Sequence, residues 1–300
     1  MNSIVAFDVG GTNTKFGLFD SNLQIKSSGH FDTPKNDPYA EILIKKIEEY
    51  LNEFSSISDV SGIGISVPGL LDETEGVIKW AGNLGWRELA LKRKLAEKFQ
   101  LPIACGHDVK SAGIAELKIR SQKNYDSALY ISIGTGIAAA FFLAEKNSAW
   151  HSQVSEIGHI KVSDKYICVC GQTGCLESVA STLAIQKNYS VMSRNSQLNS
   201  EEIVILANQG DKEANAIWQE ALLAICNTCE ILITIFSPKI IIFGGGLSNM
   251  GEELLAPINN FLKLSLSFQK LPKLEIATYG SFSGLYGSAQ LALEYLKEIS

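Results

Sequence analysis

No stretch of the chain approaches the roughly 20 consecutive apolar residues that a bilayer-crossing helix needs, because its longest apolar patches are broken by Gly, Asn or Ser. The opening MNSIVAFDVGG has no basic segment ahead of its apolar stretch and soon meets an acid and two glycines, unlike a secretory leader. A cytoplasmic protein without a membrane partner is therefore expected. Positive charge is also short: 26 Lys+Arg face 32 Asp+Glu, a formal net charge of -6, and no Lys/Arg block is long enough to neutralise a run of phosphates. That argues against nucleic acid as the main partner, although a local cradle of backbone N–H groups binds a small anion whatever the net charge. Proline and glycine, 7 and 25 of 300 residues, are too few for a collagen-like or low-complexity chain. The 6 cysteines are no disulfide framework, since a chain of this size needs no staples.

What is present is a globular composition, 46% hydrophobic and 19% charged, with length for two domains of about 150 residues each. Residues 4–9, IVAFDV, read as a buried strand ending at Gly10, Gly11 and Thr12; KFGLFD and LQIKSSGHF read as two more strands. From Tyr39 to Phe54 the spacing is helical, with Ile42, Ile47, Leu51 and Phe54 expected on the inner face. GIGISV is a strand that stops at Pro68-Gly69, and the Gly-, Asn- and Trp-rich segment to Trp86 reads as a long ordered loop. A helix is expected from Arg87 to Phe99, then a strand at Leu101–Ala104, leaving Asp108 at a strand-to-helix junction.

The second half opens with ALYISIGTGIAAAFFLA, where two strands flank Gly134-Thr135-Gly136 much as the first strands flank Gly10-Gly11-Thr12. Helical spacing runs over 178–189 and 213–236; the strand 239–243 enters Gly244-Gly245-Gly246, and LEIATYG precedes a small-residue helix near 284–296. Strand, glycine turn and helix recurring in this way predict two α/β domains separated by a cleft, because open sheets bind ligands beyond their strand ends.

His159, Cys168, Cys170 and Cys175 are four good zinc ligands within 17 residues. Four protein ligands leave no open position, so a structural ion is expected and metal-activated water is not. The tight C-x-C spacing is not that of a common zinc finger. Glu156 and Glu177 flank this cluster, and carboxylates in a braced loop are suitable acceptors for a neutral polyol. Cys226 and Cys229 lie in a long apolar helix, where inert buried thiols are the plainer reading than a redox pair.

Three glycine turns end apolar strands: Gly10-Gly11-Thr12, Gly134-Thr135-Gly136 and Gly244-Gly245-Gly246. Without a Cβ, glycine lets backbone N–H groups approach phosphate oxygens, and Thr12 and Thr135 add hydroxyls. None matches G-x-x-x-x-G-K-[ST] or G-x-G-x-x-G, so the set as a whole points to nucleotide phosphate. Asp8 and Asp108 stand at strand ends, where a carboxylate serves as a base, helps place Mg2+, or simply caps a turn. Lys15, Lys110 and Arg87 are candidate charge contacts or ordinary surface groups.

At these residues the chain resembles the bacterial ROK family of sugar kinases and related repressors. DVGGTNTK is similar to the family's first phosphate motif, Gly134-Thr135-Gly136 to its second, IIFGGGLS to its nucleotide-domain turn, and EIGH with CVCGQTGCLE to its zinc signature. The resemblance implies an actin-like, hexokinase-type α/β fold in two domains. Residues 1–118 would form the sugar and phosphate side, and 119–283 the domain with the zinc loop and nucleotide site; the helix 284–300 would return to the first. It implies sugar contacts from Asn83, Asp108, Glu156, His159 and Glu177, with Asp108 as catalytic base. It further implies ATP with Mg2+ at Asp8, Lys15 and the glycine turns, structural Zn2+ at His159, Cys168, Cys170 and Cys175, and a homodimer. Two departures stand out: His107-Asp108-Val109-Lys110 replaces the usual Asn-Asp-Ala-Asn, and Ala138-Ala139 replaces a further glycine.

The leading expectation is thus transfer of the γ-phosphoryl group of ATP to a hexose or N-acetylhexosamine hydroxyl, at O6. The choice of sugar, and of ATP or polyphosphate as donor, stays open. The rival is a sugar sensor without catalysis and without a DNA-binding region, since the first phosphate strand already starts at Ile4. A zinc hydrolase ranks below both, because the metal set is saturated.

Overall fold

The computed structural model describes residues 3–54, 60–120, 125–144, 150–194 and 197–299. Two compact units divide the chain: Met1–Ile119 with Phe282–Ser300, and Arg120–Ser281.

In the first unit, β1 (Ser3–Val9), β2 (Asn13–Phe19) and β3 (Ile25–Asp32) form an antiparallel ribbon. β4 (Val60–Val67) and β8 (Ile103–His107) join it in parallel, giving the order β3-β2-β1-β4-β8. The central strand β1 is covered on both faces and reads as a nearly unbroken apolar run, whereas the edge strand β3 alternates. Between β4 and β8, a small sheet of β5 (Leu70–Asp72), β6 (Val77–Ala81) and β7 (Trp86–Leu89) occupies the stretch expected to be a loop. Its strands are too short to show a period. Consequently the helix expected from Arg87 begins later, as α2 (Leu91–Phe99).

The helix α1 (Glu41–Phe54) is capped by Asp37, whose carboxylate accepts from the Glu41 and Leu43 N–H groups at 2.8 and 3.0 Å. Leu43 and Ile47 are buried, four positions apart on one face, whereas Ile42, expected inside, stands five positions before Ile47, about 140° round the helix, and is 48% exposed. The Phe54 side chain lies outside the described residues. Strand β8 runs through His107, so Asp108 is the first residue of α3 (Asp108–Lys118) and does not end a strand.

The chain's final helix, α9 (Ser283–Glu298), packs on β1, β4, β8 and α3. It comes so close that a Cβ on Gly64 would lie 1.9 Å from the Ser288 carbonyl oxygen. The Ser288 hydroxyl donates to the Phe7 carbonyl at 2.8 Å and lies 2.8 Å from Ser66 Oγ. Gly64→Ala is accordingly expected to destabilise the first unit by about 3 kcal/mol, because backbone rather than a movable side chain blocks the methyl; a urea titration checks it, and an unchanged midpoint contradicts it.

The second unit repeats the plan. β9 (Ser127–Ile133), β10 (Ile137–Ala144) and β11 (Trp150–Ser155) are antiparallel, β12 (Ile240–Gly244) and β13 (Lys273–Ile276) add in parallel, and the order is β11-β10-β9-β12-β13. Five helices belong to this unit among the described residues: α4 (Leu176–Ala180), α5 (Thr182–Ser193), α6 (Ser200–Asn208), α7 (Lys212–Phe236) and α8 (Glu252–Ser265). The helix expected over 178–189 is two helices broken at Ser181, whose hydroxyl caps the second by accepting from the Ala184 N–H at 3.1 Å. α7 has 25 residues and, by length and average composition alone, could cross a bilayer although Glu220 and Glu230 interrupt its apolar run, but it buries Ile217, Trp218, Leu232 and Ile233 in the core of this unit. Cys226 and Cys229 are buried on it, and burial pushes the Cys226 thiol up to about 11 and raises Cys229 further, as inert core thiols require.

Candidate active site

On the first unit, the Gly10-Gly11-Thr12 turn joins β1 to β2. Gly10 N–H donates to the Asn13 carbonyl at 3.0 Å, the Thr33 hydroxyl donates to the Gly10 carbonyl at 2.8 Å, and Lys35 Nζ donates to the Gly11 carbonyl. Lys35, 24 positions away from Gly11, carried no sequence signal. Asn83, in the 3-10 turn Gly82–Leu84 of the small sheet, is exposed, and its side chain faces Gly11. Arg87 is exposed on β7, which sets it among surface groups.

Asp8 and Lys15 stand opposite one another on β1 and β2. Burial and the nearby Asp108 carboxylate push the Asp8 carboxyl up to about 7, against a pull downward from Lys15. Burial lowers Lys15 while Asp8 holds it up, and its Nζ lies 5.4 Å from the centre of the Phe282 ring. A carboxyl raised from 3.8 to about 7 on folding favours the native state fully below pH 3.8, and that contribution is lost as pH rises through 7. Asp8→Asn should therefore stabilise the ligand-free chain by about 2–4 kcal/mol at pH 8 and by nothing near pH 3. Parallel melting curves at the two pH values test this, and equal stability at pH 8 refutes it.

Asp108 opens α3 with a quarter of its side chain exposed. Its Oδ1 accepts from the Val109 N–H at 2.7 Å, and His107 Nδ1 lies 3.0 Å from the same oxygen. His107 itself is buried. Lys110, the other departure in this motif, donates from Nζ to Glu73 Oε2, so the cation is already paired. Glu73 likewise had no sequence signal.

On the second unit, two glycine turns meet. Gly134-Thr135-Gly136 closes the β9–β10 hairpin, with Gly134 N–H donating to the Gly136 carbonyl at 2.9 Å. Gly244-Gly245-Gly246 ends β12 beside it: Gly245 has φ +78, and a Cβ there would lie 2.5 Å from the Ile133 carbonyl oxygen. Thr135 is exposed and Ala138 half-buried on β10.

The Cys/His loop is a miniature ladder. Lys161 bridges Cys175 and Ile167 bridges Thr173, while the Gly174 carbonyl accepts from the Val162 and Ser163 N–H groups at 2.8 and 3.1 Å. This brings the ligand atoms of His159, Cys168, Cys170 and Cys175 within 4.8 Å of one another. Cys168 Sγ is 3.7 Å from His159 Nδ1, and Cys170 Sγ is 3.7 Å from Cys175 Sγ. Donors around a tetrahedral ion with metal–sulfur bonds of about 2.3 Å and metal–nitrogen bonds of about 2.0 Å are separated by about 3.5–3.8 Å, so these edges fit one. They are far too long for a disulfide, whose sulfurs sit about 2.05 Å apart. Burial raises the Cys168 thiol and pushes that of Cys175 up to about 12, so a thiolate set here calls for a cation to balance it.

Glu156 is exposed just before the 3-10 turn Ile157–His159, and its carbonyl accepts from the His159 N–H at 3.0 Å. Glu177 lies on α4 directly after Cys175-Leu176, and its Oε2 accepts from the Ile137 N–H at 3.0 Å.

A five-stranded sheet built twice, each copy opened by a glycine-turned hairpin, is the actin-like two-domain α/β fold. The model of the ROK family matches residues 4–295, and the chain belongs to that family. A glucokinase of Halalkalibacterium halodurans is 29% identical, over 96% of this chain and 94% of its own. An N-acetyl-D-glucosamine kinase of Shigella boydii is 25% identical over 96% and 98%. The crystal structure of a ROK family glucokinase from Streptomyces griseus, in complex with glucose and AMPPNP, superposes with a TM-score of 0.83 at 26% identity, covering 98% of this chain and all of the other.

Proposed function

We propose that the chain is an ATP-dependent sugar kinase that phosphorylates a hexose or N-acetylhexosamine at O6, with Asp108 as the general base. The observation that carries the reading is a carboxylate on the first residue of α3, directly after β8, a quarter exposed and on the same unit as a glycine hairpin turn. The relatives named as glucokinase and N-acetyl-D-glucosamine kinase support the substrate class.

In this reading Asp108 accepts the proton of the sugar hydroxyl as that oxygen attacks the γ-phosphorus in line. The new O–P bond forms as the bond to the β-phosphate bridging oxygen breaks, and ADP leaves without a covalent enzyme intermediate. Backbone N–H groups of the glycine turns, with Lys15, meet the charge spreading over the phosphoryl oxygens, and Asp8 helps place the Mg2+ that accompanies ATP. The Val109 N–H fixes the Asp108 carboxylate by its bond to Oδ1. Asn83, Glu156, His159 and Glu177 hold sugar hydroxyls and thereby orient the attacking oxygen. His159, Cys168, Cys170 and Cys175 hold a zinc ion that braces the loop carrying two of these contacts. Zinc supplies no step of the reaction, since four protein donors complete its shell.

The test is ADP release across a panel of purified sugars, with a no-sugar control and a Mg2+ titration. Sugar-dependent ADP release with a phosphate ester mapped to O6 supports the reading. Sugar binding without any ADP release would instead favour a sensor.

A further inference from the structure

We propose that Glu177 is a positioning residue for the second glycine turn, and that through it the state of the Cys/His cluster sets the shape of that turn. The inference rests on the reading that Gly134-Thr135-Gly136 meets nucleotide phosphate. Glu177 Oε2 holds the N–H of Ile137, the residue that ends the turn. The contact is intimate: a Cβ on Gly136 would lie 2.6 Å from that same oxygen.

Both halves of the metal cluster press on this point. From one side, Cys175 leads through Leu176 to Glu177, and the Leu176 N–H is tied to the Ile160 carbonyl at 2.9 Å, next to His159. From the other side, Gly158, which precedes His159, packs on the Ile137 carbonyl so tightly that a Cβ would lie 2.3 Å from its oxygen and 3.3 Å from Glu177 Cβ. The turn has a second tie to the same segment, since Thr182 N–H donates to the Gly134 carbonyl at 2.9 Å. A backbone N–H bonded to a carboxylate is a strong, oriented contact, and its partner sits on the short helix that the metal loop launches. A sugar contact alone needs none of this. With Oε2 already accepting from Ile137, Oε1 of Glu177 is the less committed oxygen for a sugar hydroxyl.

The deciding measurement is binding of the Mg2+ complex of AMPPNP, a non-hydrolysable ATP analogue, by calorimetry in the absence of sugar. Glu177→Ala should weaken it about tenfold, whereas Glu177→Gln, whose amide oxygen still accepts from Ile137, should stay within about twofold of the parent. Stripping the metal from the parent with a chelator should weaken the analogue by a similar factor, and stripping it from Glu177→Ala should add little, because one pathway is lost only once. The Ile137 amide, read by hydrogen exchange, should exchange faster after chelation of the parent and in Glu177→Ala. Undiminished analogue binding in Glu177→Ala overturns the inference, as does an equal further loss on chelating that variant. A parent chain that binds no AMPPNP at all removes the nucleotide reading itself, which separates the two failures.

Discussion

Asp108→Asn is expected to lower kcat by about 10²- to 10⁴-fold while fold and sugar affinity are retained, the range by which a positioned general base accelerates a reaction. The exchange keeps the shape of the side chain and its bond from the Val109 N–H, which stands at 2.7 Å in the native chain. It removes the capacity to take up a proton, together with the negative charge that helps hold the Asp8 carboxyl up. Positioning of the hydroxyl survives, so the loss should fall on kcat and leave KM for the sugar nearly unchanged. Steady-state ADP release at saturating sugar decides the matter: an unchanged rate strips Asp108 of its role.

Cys175→Ala is expected to lose the bound metal and to weaken sugar binding by about 10- to 100-fold, the span typical when support for a site's geometry is removed. Cys175 is buried at the foot of α4, so its loss removes a metal donor and the brace of the helix that bears Glu177. His159 sits in the same cluster and follows Glu156 by three residues. Elemental analysis of the purified variant alongside sugar titration checks both effects. Full zinc retention would refute the assigned coordination, and metal loss with unaltered sugar affinity would separate the ion from sugar binding.

Much of the frame was legible because its signals are local. IVAFDV runs into two glycines, so the β1–β2 hairpin and its turn could be read directly, and ISIGTGIAAA announced the second hairpin in the same way. Three cysteines within eight positions marked the loop where the Cys/His cluster gathers. The small sheet β5–β7 was not legible, since strands of 3 to 5 residues show no period and the intervening glycines look like loop. Asn199 and Glu202 form a capping box, a local signal for the start of α6, whereas Pro257 inside α8 disguises that helix as an interruption. The bond from Ile137 to Glu177 spans 40 positions, and that from Lys110 to Glu73 spans 37. Pairings of that kind are created by the fold, and neither residue type nor spacing announces them.

The placement of α9 has a consequence for biosynthesis. Its Leu285, Ala289 and Ala292 cover Ile4, Ala6, Phe19 and Ala104, yet the ribosome makes this helix only after the whole segment Arg120–Ser281. At translation speeds of about 5–20 residues per second, the N-terminal sheet spends on the order of ten seconds or more with that greasy face bare. The later-made unit can finish folding before the earlier one, and a nascent chain stalled short of Ser283 leaves a sticky, half-roofed sheet for chaperones to shield.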